Sequence, residues 1–144
     1  PGSDFRRWVW ITIAPFVTYI NRLRRLARQA PDFIDAHAHL AYVFLEQNAP
    51  RKALNAALKG LAAGNRLIPE SFSGEIIWMP PENRPYLRAL YAAILANVHL
   101  QRHQDAVMLT DKILAYNPED NQGPAGCWVQ SCYEQVIMSE PSVY

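Results

Sequence analysis

Apolar residues recur at three- and four-residue intervals through several stretches of the chain, with alanines filling many of the positions between. From Leu87 the apolar positions are Leu87, Leu90, Tyr91, Ile94, Leu95 and Val98, a spacing that lays one stripe along an α-helix. Ala89, Ala92, Ala93 and Ala96 stand among them; small side chains admit a close neighbour, and alanine is the best helix former. Pro85 suits a first turn, where its missing N–H costs little. The segment 100–103 predicts a turn, although it lacks a glycine. In the next run Ala106, Leu109, Ile113 and Leu114 face inward and Gln104, Asp105, Asp111 and Lys112 outward. Pro118 ends it, because proline cannot continue the hydrogen-bond ladder. Residues 83–120 therefore predict two antiparallel helices.

A second copy of this pattern spans residues 31–68. Ala36, Leu40, Ala41, Phe44 and Leu45 mark its first helix, Asn48–Pro50 its turn, and Ala53, Leu54, Ala57, Leu58 and Leu61 its second helix. Gly64-Asn65 predicts a C-terminal cap. Residues 69–82 form an apolar insertion carrying Phe72, Ile76, Ile77, Trp78 and Met79, expected to cover an edge of the helices or to lid a groove. Upstream, residues 1–30 predict a basic amphipathic helix from Pro15, with Phe16, Tyr19, Ile20, Leu23, Ala27 and Ala30 on one side and Arg22, Arg25 and Arg28 on the other. The apolar run Trp8–Ile20 is too short to span a bilayer, and Trp8 and Trp10 are candidates for an exposed docking surface. The opening Pro1-Gly2-Ser3 reads as a tag remnant ahead of a domain excised from a longer chain. Residues 121–144 predict a capping helix from Pro124 to about Met138, with Trp128, Val129, Tyr133, Val136 and Ile137, because a terminal repeat otherwise leaves its apolar face bare.

A helix pair with small residues in its first helix, alanine early in its second (Ala53, Ala106) and proline just past the end (Pro118) resembles a tetratricopeptide repeat. Leu40, Ala41, Phe44 and Ala53 stand at that repeat's signature spacing. ENRPYLRAL (Glu82–Leu90) with NPEDNQG (Asn117–Gly123) is similar to a group of mostly bacterial tetratricopeptide proteins without an assigned activity. Two positions depart from the pattern: Gln101 stands where the turn glycine is usual, and Thr110 where the second helix usually has an aromatic. The resemblance implies an all-α fold, a short right-handed α-solenoid of antiparallel helix pairs with flanking N- and C-terminal helices. It also implies a concave groove, lined by the first helix of each pair, that holds a partner segment. Counted from Leu40, the groove positions are Asp35, Ala38, His39, Tyr42 and Glu46; counted from Ala93, they are Arg88, Tyr91, Leu95 and His99. Tyrosine and arginine are common interface anchors. Two recognisable repeats fall short of the roughly three that such stacks need, so the flanking helices or self-association must complete the stack.

Composition adds little to this picture except in its charge distribution. The 144 residues are half hydrophobic, enough for one globular core. A net charge of +1 hides an asymmetry: residues 1–30 carry six arginines and one acid, and the remainder carries eight bases and twelve acids. Cys127 and Cys132 lie about 140° apart around a helix, a poor arrangement for a bridge, so free thiols in the cytoplasm are expected. FIDAHAHL (Phe33–Leu40) resembles the metal-binding first strand of amidohydrolases, where His37 and His39 would share an ion. That family needs a barrel of some 250 residues, and on a helix the two imidazoles lie about 200° apart. His99 and His103 have metal spacing if both are helical, but His103 is expected in the turn. A nucleophile elbow, a phosphate loop and a supported carboxylate pair are all missing from the sequence. The sequence thus reads as a non-enzymatic protein–protein interaction module, an adaptor or scaffold without cofactor, metal or small-molecule substrate. Its partner is a protein or peptide segment. The alternative is a membrane-surface or nucleic-acid contact through the arginine-rich first helix, and a more remote one is a metal-dependent hydrolase built on DAHAH.

Overall fold

A helix from Arg84 to His99 runs through the middle of the molecule and packs on four other helices. The computed structural model describes residues 2–123 and 126–139, with side chains from Ala14 onward apart from those of Cys127 and Trp128. Six α-helices are described: α1 (Gly2–Gln29), α2 (Ile34–Glu46), α3 (Pro50–Asn65), α4 (Arg84–His99), α5 (His103–Tyr116) and α6 (Cys127–Ser139), with a 3-10 turn at Pro81–Asn83 before α4. No strand occurs among the described residues. None of their helices is long and apolar enough to cross a membrane.

Packing follows the order of the chain. α2 packs on α3 and α4, α3 on α4, α4 on α5, α5 on α6, and α6 also touches α4; among the described residues α1 packs on α2 alone. In α4, Leu87, Leu90 and Ile94 are fully buried together with Ala89, Ala92, Ala93 and Ala96. The three larger side chains each contribute about 1.5–3 kcal/mol by leaving water, and the four alanines let α2, α3 and α5 approach closely. Thr110, standing where an aromatic was expected, is also fully buried. Its Oγ1 donates to the Ala106 carbonyl at 2.8 Å, so the hydroxyl is satisfied within its own helix.

The two helix pairs end their first helices identically. After α2, Asn48 N–H donates to Leu45 O and Ala49 N–H to Phe44 O; after α4, Gln101 N–H donates to Val98 O and Arg102 N–H to Asn97 O. Both are Schellman closures, with Asn48 at φ 55° and Gln101 at φ 56° in the left-handed region, where glycine is usual. This explains how the second turn forms without one. Equivalent positions stand at a constant offset of 53 residues, as in Leu40 and Ala93, Asn48 and Gln101, or Ala53 and Ala106.

Several expectations are corrected. Gly64 does not cap α3; it lies inside the helix, which runs to Asn65 and closes at Arg66. A Cβ on Gly64 would stand only 2.3 Å from the Tyr86 ring, so the glycine exists to let α4 approach. α1 starts at Gly2, well before Pro15: proline forfeits one ladder bond, and the turns on either side keep theirs. Of its expected inner face, Ile20 and Leu23 are buried, while Phe16 and Tyr19 remain 42% and 43% exposed. Tyr19 lies about 100° around the helix from Ile20, at the edge of the stripe, and Phe16 lies one turn beyond Ile20 toward the N-terminus. At about 1.5 Å per residue α1 is twice as long as α2, the helix it packs on, and overruns it. Leu58, expected inward, is also exposed. The C-terminal helix starts at Cys127 and packs on α5 with Val129 and Cys132 buried, whereas Ile137 is exposed. The side chains of Trp8, Trp10 and Trp128, and Pro124, lie outside the described residues.

Candidate functional site

Five of the nine groove positions expected from sequence converge where α2 and α4 lie side by side. Arg88 donates from Nη1 to Asp35 Oδ1 at 3.0 Å, and both side chains are about one-quarter exposed. His39, one turn along α2, places Nε2 at 3.5 Å from the same carboxylate oxygen. Tyr42 donates its hydroxyl to the Arg88 carbonyl at 3.3 Å. Asp35 and Arg88 hold equivalent places in the two helix pairs, so this ion pair links like positions across neighbouring helices.

Burial pushes the Tyr42 hydroxyl well above the ordinary tyrosine range; Tyr91 and Asp35 add to that rise, and Arg88 opposes it. Burial likewise raises Tyr91, with help from the Asp120 carboxylate. Both phenols are therefore neutral hydrogen-bond donors throughout the physiological range. Leu95 continues the face one turn beyond Tyr91 and is half-buried. Glu46 and His99 are exposed at the C-terminal ends of α2 and α4, about 16 Å along the helix axis from Asp35 and Arg88, and do not join the cluster. Ala38 is fully buried between helices and offers nothing to a groove.

The insertion adds a residue that periodicity could not place. Trp78 lies beneath two guanidinium groups, with Arg84 5.2 Å and Arg88 5.7 Å from its ring centroid. Backbone and side-chain bonds fix it there: Ile76 N–H donates to Tyr116 O at 2.8 Å, Trp78 N–H to Asn117 Oδ1 at 3.2 Å, and Arg84 Nε to Trp78 O at 3.1 Å. Phe72 packs near Tyr116, which meets Tyr86 edge-on. The insertion thus covers the edge formed by the ends of α3 and α5, and carries Trp78 to the rim of the Asp35–Arg88 cluster. A smaller cavity of about 350 Å³ lies beneath it, between Ile34, Ile68, Phe72, Ile76 and Tyr86.

The histidines singled out by motif go separate ways. His37 is buried, and its Nε2–H donates to Pro31 O at 2.8 Å, while His39 faces Asp35. His103 is the first residue of α5 rather than part of the turn, and the break at 100–102 separates it from His99. Its Nδ1 lies 3.2 Å from Cys132 Sγ. Cys132 is a free, buried thiol whose pKa burial pushes up, which keeps it protonated and unreactive; the Cys127 side chain lies outside the described residues. Among the described residues, no three His, Cys, Asp or Glu side chains gather to hold a metal ion.

A larger groove lies elsewhere. It measures about 680 Å³ and runs between α1 and α3 over the back of α2. Its floor residues Leu40 and Phe44 stand about 140–180° around α2 from Asp35, so it opens on the opposite side of that helix. Sequence reading missed it, although Lys52, Lys59 and Arg66 recur every seventh residue. No family model matches the chain, and neither a curated protein nor a solved structure matches it.

Proposed function

We propose that this chain is a non-catalytic interaction module, a tetratricopeptide-like stack of the pairs α2–α3 and α4–α5 that binds a protein segment across the shared face of α2 and α4. The observation that carries this reading is the convergence of Asp35, His39, Tyr42, Arg88 and Tyr91 on that face with Trp78 at its rim. The constant offset between the pairs and their matching helix closures support the repeat. Chemically the face suits a peptide. Arg88 commits one guanidinium nitrogen to Asp35, leaving further N–H donors for a partner's carboxylate or backbone carbonyls. The Trp78 ring and the half-buried Leu95 offer apolar contact beside them. Such a mixture of arginine, tyrosine and tryptophan is where binding energy concentrates at interfaces.

The test is a quantitative pull-down from native lysate with the wild type and an Arg88→Ala/Tyr91→Ala variant of equal helicity by circular dichroism. Proteins held by the wild type are expected to leave the variant, with a loss of affinity of about thirtyfold or more, as for a hot-spot pair. Equal retention by both would remove this face as the working surface.

A further inference from the structure

The groove between α1 and α3 is walled by cations and floored by apolar side chains. Arg24 and Arg28 stand one turn apart on the α1 wall; Lys52, Lys59 and Arg66 stand two turns apart on the α3 wall. Among the described residues, Arg66 alone of these five is ion-paired, with Asp32. Between the rows the floor is Leu40, Phe44, Ala27 and Ala56, and the Arg24 guanidinium lies 5.9 Å from the Phe44 ring centroid. The two walls touch α2 but not each other, which leaves the trough open along its length.

We propose that this trough docks an acidic amphipathic helix from another protein. Three features select that occupant. The α3 row extends over about 21 Å, four helical turns, so a single phosphate or small anion could meet only a fraction of it. The cations form two rows with an apolar strip between them, which complements a helix bearing leucine-like residues on one stripe and carboxylates on both flanks. A nucleic acid would present phosphates to the rows but nothing to cover the partly exposed Phe44 and Ala27. Like-charged side chains also repel across the empty trough, and a carboxylate-rich ligand relieves that repulsion. The site lies behind α2, away from the Asp35–Arg88 face, so each stands or falls separately.

The probe is a synthetic peptide of about four helical turns with leucines on one stripe and glutamates on both flanks, titrated into the full chain by fluorescence anisotropy, with amide chemical shifts to locate it. Two controls are a scrambled peptide of equal composition and a single-stranded oligonucleotide of equal charge. We expect the amphipathic peptide to bind at least tenfold tighter than either control. Its shift changes should map to α1, the back of α2, and α3. Lys52→Glu/Lys59→Glu should weaken it by about tenfold or more, the scale of reversing two rim charges; both lysines are exposed, and folding of the variant is checked by circular dichroism. Arg88→Ala should leave this binding unchanged. Equal binding of the scrambled peptide, tighter binding of the oligonucleotide, shifts confined to the Asp35–Arg88 face, or no binding at all would overturn the proposal.

Discussion

At the scale of single residues, Gly64 shows most directly how a missing side chain sets the distance between helices. Alanine has the higher helix propensity by up to about 1 kcal/mol, so an isolated helix would gain from Gly64→Ala. Here the new Cβ would meet Tyr86 Cδ2 at 2.3 Å and Cε2 at 2.8 Å. The ring cannot yield freely: Tyr86 is 5% exposed, donates its hydroxyl to Asn65 Oδ1 at 2.7 Å and meets Tyr116 edge-on. We therefore predict that Gly64→Ala destabilises the fold by about 1–3 kcal/mol, the usual cost of overpacking, as read by urea unfolding. Gly60→Ala is the control, because its Cβ would come no closer than 3.2 Å, to His37 Cβ, and should cost less. A stabilised Gly64→Ala variant would show that α4 shifts without penalty. The same residue illustrates what a sequence hides. Gly64 before Asn65 carries the signature of a helix end, and only the neighbouring helix reveals that its role is close approach.

At the scale of elements, α2 to α5 were legible because each buries one face against a partner close in sequence, and that leaves a 3.6-residue periodicity. Their turns were legible too, even where Gln101 replaces glycine, since Pro118 and the polar breaks mark the ends. α1 was read only in part. Its periodicity implied a buried face from Phe16 to Ala30, but among the described residues it packs on α2 alone, and that helix is too short to cover it. Ile20 and Leu23 are its only buried apolar side chains among those described. Leu23→Ala should therefore loosen α1 by about 2–3 kcal/mol without unfolding the rest. Hydrogen exchange would read this as faster exchange across 20–29 with unchanged protection in α4. If α4 lost protection equally, α1 would be part of one cooperative unit with the core. The rim residue Trp78, the His103–Cys132 contact and the basic trough were invisible for a common reason: each joins segments from separate elements, and periodicity describes one element at a time.

At the scale of the whole molecule, the tyrosines tie the fold to pH. Burial, then the neighbouring Tyr116 hydroxyl, holds Tyr86 above the ordinary value; burial chiefly raises Tyr42 and Tyr91. Tyr133 is pushed up to about 12 by burial and then by its hydrogen bond to Asp111. An unfolded tyrosine loses its proton near pH 10, so above that pH the folded chain holds protons that the unfolded chain has released. Stability from this source is complete below about pH 10 and is lost as pH rises through the folded values. We predict that the urea unfolding free energy falls from about pH 10 upward, each retained proton adding at most about 1.4 kcal/mol per pH unit to the slope. Tyr86→Phe separates this linkage from general alkaline damage. At neutral pH it should lower stability by about 1 kcal/mol through loss of the bond to Asn65, yet above pH 10 its decline should be shallower than that of the wild type. Parallel declines would mean that Tyr86 ionises in the folded chain as readily as in the unfolded one, and that lysine deprotonation or bulk charge drives the loss.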